Sequence, residues 1–194
     1  MMIDKKTYGL CLFQKETKSR LVLKDMLQLL RTQNPGRTVN FSYVEGESSL
    51  LPQLSLWENL QLETGSLKFS EIRHHLKPEW HSLLSLLNRP DTQVMNADHW
   101  EKLAFSLLKA VMGPAQNILI DMNEDLLSPF MIKIFKNACA QMNTEKSIVL
   151  ASANTSLWLD CAHSLVVRRG FKFEVEKLNE EQLRAHWTSS RLTG

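Results

Sequence analysis

The run Asn117-Ile118-Leu119-Ile120-Asp121, followed by Met122-Asn123, constrains this chain more than any other stretch. Its apolar positions are consecutive rather than alternating, so both faces of the strand must be covered. That requirement points to a parallel sheet with helices on either side. A single carboxylate closes the run. In open α/β sheets ligands lie at the carboxyl ends of the strands, so Asp121 stands either at a site or as the cap of the turn that follows.

The rest of the chain fits such a sheet. Tyr8 to Phe13 is a short apolar run and reads as a first buried strand, and Gln14 to Ser19 is a polar loop. Leu21 to Leu30 places Leu23, Met26, Leu27 and Leu30 on one helical face, and Asn34-Pro35-Gly36 ends that helix. Thr38 to Val44 alternates as a strand does. Leu-rich amphipathic helices are expected over Leu56 to Leu62, Ser70 to His75 and Glu79 to Leu87, broken by Gly65, Pro78 and Pro90. Asp98 opens a longer helix from Trp100 to Met112, stopped by Gly113-Pro114. After the central strand come a helix over Phe130 to Met142, a strand over Ser147 to Ala151 and a short helix over Leu157 to Ala162. A strand over Ser164 to Arg168, a turn at Gly170, a strand over Phe171 to Glu176 and a polar helix near Glu180 to Thr188 complete the pattern. Strand–helix alternation at both ends with an all-helical stretch between them predicts an α/β fold with an inserted helical subdomain.

At 194 residues the chain is read as one domain, able to bury about seventy per cent of its unfolded surface without staples. Its 43% hydrophobic and 23% charged residues are ordinary for a soluble protein. A net charge of +2, with scattered Lys and Arg, offers no footprint for nucleic acid. Cys11, Cys139 and Cys161 have no ligand spacing and read as reduced core or near-core thiols of a cytosolic protein. Met1 to Lys6 lacks the apolar core of a signal peptide, and no apolar run is long enough to cross a bilayer, so no direct membrane insertion is expected.

Three segments, in order, resemble the ATPase domain of ATP-binding cassette transporters. Tyr43 to Leu60, containing Leu50-Leu51-Pro52 and Glu58-Asn59-Leu60, looks like that family's strand, Q-loop and start of the helical subdomain. Glu101 to Asp121 looks like the helix after the signature motif leading into the Walker B strand. Ser147 to Gly170 looks like the H-loop strand and the hairpin beyond it. The resemblance spans nearly the whole chain. It implies a P-loop-NTPase-like parallel sheet flanked by helices, with residues 1–50 and 113–194 forming the core and residues 51–112 the helical subdomain. The family's N-terminal antiparallel part would be truncated, since little chain precedes Tyr8.

Position by position, the chemistry of that family is missing. A phosphate-binding loop needs glycines so that bare backbone N–H groups close around the phosphates. No Gly lies between Leu10 and Pro35; Lys18 and Ser19 stand where the family's Lys and Ser would be, behind Lys15-Glu16-Thr17. Gly46 replaces the Q-loop Gln, and Ala97 to Glu101 replaces the signature. Asp98 and Glu101 there read as a capping box. A carboxylate at that helix start would repel a phosphate about four ångströms away by on the order of 4 kcal/mol. Asp121 matches the Mg²⁺-associated acid, but Met122 stands where the catalytic Glu would be, and a thioether accepts no proton. Ala153 takes the place of the H-loop His.

His74, His75 and His81 with Glu71 lack a further ligand and read as helix surface rather than as a metal site. No nucleophile–base pair is supported, so no catalytic residue and no metal site are assigned. Lys18, Ser19 and Asp121 remain as vestiges of a nucleotide site. The resemblance places Leu51, Pro52, Leu54, Leu56 and Trp57, with Glu58, beside the groove that receives a permease's coupling helix, which makes them candidate partner-binding residues. The expectation is a catalytically inactive subunit without cofactor, cytoplasmic and held at the inner face of the membrane through partners. Its partners would be a permease, an active ABC ATPase, or both, in a hetero- or homodimer. Alternatives are a divergent enzyme that binds ATP and Mg²⁺ through Lys18, Ser19 and Asp121, and a free-standing adaptor.

Overall fold

The computed structural model describes residues 10–14, 24–25, 27–28, 31, 40–45, 49–65, 67–76, 78–84, 86–141, 146–169 and 172–178. Tyr8, the loop with Lys18 and Ser19, and the C-terminal stretch near 180–188 lie outside the described residues, as does the region before the first strand.

Six strands form one sheet: β1 (Leu10–Gln14), β2 (Phe41–Val44), β3 (Asn117–Asp121), β4 (Ser147–Ser152), β5 (Ser164–Arg169) and β6 (Lys172–Lys177). Their order is β2-β3-β4-β1-β5-β6, parallel throughout except for the β5–β6 hairpin edge. The central strands carry continuous apolar runs because both sheet faces are covered. On one face Leu10, Leu12, Ile118, Ile120, Ile148 and Leu150 join a large hydrophobic cluster with the helices. On the other, Cys11, Phe13, Leu119, Val149, Ala151 and Val166 form a second cluster, against which the helical residue Leu27 packs. The period-2 geometry of a strand sends neighbouring side chains to opposite faces, which is how one run feeds two cores.

The helices that flank the sheet among the described residues include α1 (Leu56–Thr64), α2 (Phe69–His75), α3 (His81–Leu84), α4 (His99–Met112) and α5 (Pro129–Gln141). Ser55 caps α1 through a complete capping box with Glu58, and Gly65 ends it in a positive-φ conformation that only glycine adopts freely. The buried residues of α1 to α3, including Leu56, Leu60, Ile72 and Leu83, share the cluster that holds β1, β3 and β4. The helical stretch is therefore packed onto the sheet by one continuous apolar core.

Two expected helices are different in the structure. Glu79 to Leu87 is not one helix: a 3₁₀ turn at Pro78–Trp80 leads into the short α3. Leu86 and Leu87 then close with i→i−3 bonds to Leu83 and Leu84, a tighter winding that buries both leucines and turns the chain toward Pro90. Leu157 to Ala162 is likewise a 3₁₀ turn, Thr155–Leu157, followed by turns in which Cys161 and Ala162 donate to Trp158 O. Tight winding there serves to place the Trp158 ring, fully buried, beneath the sheet end. No helix among the described residues is long and apolar enough to cross a membrane.

Candidate functional site at the carboxyl ends of the strands

Parallel topology brings the carboxyl ends of β1 to β4 to one edge. The chain leaves β1 for the face that holds Leu27, whereas after β4 it enters the opposite cluster through Trp158 and Leu159. Adjacent strands whose connections depart to opposite faces leave a crevice between them. Here that switch point falls between β1 and β4, whose ends Gln14 and Ser152 are in register. Asp121 is level with Ala151 on β4, and Val44 with Ile120, so Glu45 follows beside it.

Tyr43 Oη donates a hydrogen bond to Asp121 Oδ2 at 3.2 Å. Burial, then the negative charges of Asp121 and Glu45, push the Tyr43 phenol well above its ordinary range, so it stays a donor. Met122 points the other way. Its side chain is fully buried in the larger cluster while its N–H bonds Ala151 O at 3.0 Å. The position that follows Asp121 is thus part of the core.

The acid that the sequence reading passed over is Glu124. The 3₁₀ turn Glu124–Leu126 folds its carboxylate back under β4, where it is buried. Its Oε1 accepts from Ser152 Oγ and from Trp158 Nε1, the latter at 2.8 Å. Ser152 Oγ also receives Asn154 N–H at 3.0 Å. Seen in sequence, Glu124 and Trp158 are 34 residues apart with no shared pattern, and Glu124 stands between the polar Asn123 and Asp125, so nothing local marked it for burial. This network is buried at the carboxyl end of β4. Ala153, by contrast, is an exposed methyl with no chemistry to offer.

At the start of α4 the expected capping box of Asp98 and Glu101 forms. Glu101, only 1% exposed, accepts Asp98 N–H at 3.0 Å, as a capping box requires. The Asp98 carboxylate also accepts from Arg89 Nη2 at 2.9 Å, and the same guanidinium holds Glu101 through Nε at 3.1 Å and Nη2 at 2.7 Å. Arg89 therefore offsets one of the two negative charges at this helix start.

The candidate partner-binding residues do not form one exposed cluster. Leu56 is fully buried and belongs to the core, a correction that follows from its place opposite the sheet on the first turn of α1. Trp57 is half-buried, edge-on to Phe69 with ring centroids 5.4 Å apart. Leu51, 48% exposed, and Pro52 face solvent, with Leu54 half-buried and Glu58 exposed. What organises them is Asn59, whose buried amide accepts Leu51 N–H at 2.6 Å and donates to Leu51 O and Ser55 O, each at 3.0 Å. The loop is further sewn to the segment after Arg89 by Leu56 N–H to Thr92 O, Trp57 N–H to Pro90 O and Val94 N–H to Leu54 O.

His74 and His75 are exposed, and His81 Nε2 donates to Arg73 O and Leu76 O at the end of α2, which is a capping role. No group of three potential metal ligands occurs among the described residues. All three cysteines are free and buried. No protein-family model matches the chain, and no curated protein matches it significantly.

Proposed function

We propose that this chain is a catalytically inactive relative of the ABC-transporter ATPases, acting as a structural or regulatory subunit of a membrane transport complex. It sits at the cytoplasmic face through its partners, docking on a permease, on an active ATPase, or on both. The observation that carries the reading is the chemistry around Asp121. The next side chain, Met122, is sealed in the core, and the nearest acid on the turn, Glu124, is held by Ser152 and Trp158. Asp121 itself takes the Tyr43 proton donor. A strand end arranged in this way has a scaffold and no general base poised for water.

The mostly parallel α/β sheet, and the helices between β2 and β3, are compatible with the architecture that the resemblance implies. The preformed loop Leu51 to Ser55 supports a docking role, because a rigid loop loses little entropy on binding. The test is Mg-ATP turnover and equilibrium binding by the purified chain, together with co-purification from solubilised membranes. Absent turnover and a permease or intact ATPase in the co-purified material are expected. Turnover abolished by Asp121→Ala sinks the proposal.

A further inference from the structure

Leu10 opens β1 and is fully buried, so its backbone N–H needs a partner within the protein. Its C=O accepts His163 N–H at 2.9 Å, which points both backbone groups of Leu10 toward β5. β5, however, begins only at Ser164, and the chain before it is a turn rather than a strand. A side chain takes the place of the strand carbonyl: Leu10 N–H donates to His163 Nδ1 at 3.2 Å. His163 O also accepts Leu178 N–H at 3.2 Å, just past the end of β6. One exposed residue thus fastens the amino end of β1 to β5 and β6.

An imidazole nitrogen accepts only through its lone pair, so this bond keeps Nδ1 bare and puts the ring proton on Nε2. Uptake of a second proton sets an N–H at Nδ1 against the N–H of Leu10. Two donors then face each other, and the buried one is stranded. Solvent reaches the ring, since His163 is exposed. We propose that His163 is a proton-operated clasp, holding the amino end of β1 closed while Nδ1 is bare and releasing it on protonation.

Other ionisable groups lie on each element that meets the clasp. On β1 the Cys11 thiol is pushed up to about 11 by burial. On β6 Lys177 stands in register with Ser164, and Glu176 with Leu165. In the turn before His163, Asp160 is held by Lys136 of α5 at 2.6 Å, and the Cys161 thiol bonds Trp158 O at 3.1 Å. Between about pH 7.5 and about pH 5.5 imidazoles take up protons, whereas lysines and thiols keep theirs and carboxylates ordinarily stay ionised. The clasp is independent of the transport reading, which is tested through turnover and membrane partners.

Amide exchange of the full chain from about pH 7.5 to about pH 5.5, corrected for the intrinsic rate at each pH, is the test. Protection of Leu10 should fall on the order of tenfold over that range, while that of Ile118 to Ile120 on β3 holds. His163→Asn keeps an acceptor near the Nδ1 position and takes up no proton, so its Leu10 amide should stay protected throughout. His163→Ala removes the acceptor, and Leu10 should exchange fast at every pH. The ring nitrogen shifts of the wild-type chain should show Nδ1 bare at the upper pH. Should His163→Ala fail to fold, the wild type and His163→Asn carry the test between them. Equal protection of Leu10 at both ends of the range overturns the proposal, as does a fall shared equally by β3. So does a loss of the same size in His163→Asn, full protection of Leu10 in His163→Ala, or a ring proton on Nδ1 at the upper pH.

Discussion

Trp158 Nε1 donates to Glu124 Oε1 at 2.8 Å, joining the turn after β4 to the turn after β3 inside the protein. Both groups are buried, so each is satisfied only while the other is in place. Glu124→Ala strands the Trp158 indole N–H and the Ser152 hydroxyl and should cost about 2–4 kcal/mol. Trp158→Phe keeps the ring but leaves the carboxylate one donor short, at about 2 kcal/mol. Urea unfolding reads both, and an unchanged midpoint in either variant refutes the role given to the network.

Asn59 should prove the organiser of the exposed loop. Asn59→Ala removes three hydrogen bonds from a fully buried side chain, a loss of about 2 kcal/mol given that water repairs the Leu51 groups. Amide exchange across Leu51 to Ser55 should quicken more than in the sheet. Uniform exchange across both regions would argue against a local effect.

Arg89→Ala leaves Glu101 buried without its guanidinium, so the start of α4 should fray and the unfolding midpoint fall. Arg89→Lys should rescue little, because one ammonium cannot hold Glu101 through two nitrogens and Asp98 as well. Full rescue by lysine would show that charge alone matters at this site.

Alkaline pH should destabilise the fold. Burial pushes the Cys11 thiol up to about 11 and the Cys161 thiol up to about 12, and Cys139 rises as well. Unfolded thiols lose their protons from their ordinary 9.0, so above that value the unfolded state is the one that gives up protons and stability falls as pH rises. The Tyr43 phenol, also raised, adds to the loss at higher pH. Urea midpoints measured from about pH 8 to about pH 11 should decline steadily. Correspondingly, all three thiols should resist a thiol reagent until denaturant is added; prompt reaction in the native state would contradict their burial.

The strands and most helices were legible because periodicity is local. Ile118 to Ile120 had to be covered on both faces, and Ser55-x-x-Glu58 and Gly65 marked the limits of α1 without reference to anything distant. Leu56 was misread because an apolar residue at a helix start looks alike whether it faces the core or a partner. The break in Glu79 to Leu87 was missed because the packing of Leu86 and Leu87, rather than propensity, set the winding there.

Residue order alone carried the parallel α/β sheet, the free thiols, and a strand ending in Asp121 with Met122 after it. Those conclusions depend on residue type and spacing along a few turns of chain. The pairing of Asp98 with Arg89, of Asp121 with Tyr43, and of Glu124 with Trp158 beneath β4 came from the folded arrangement. Each of these pairs joins residues from different elements. A buried or half-buried charge takes whichever donor the fold brings within about 3 Å, and no local pattern records that choice.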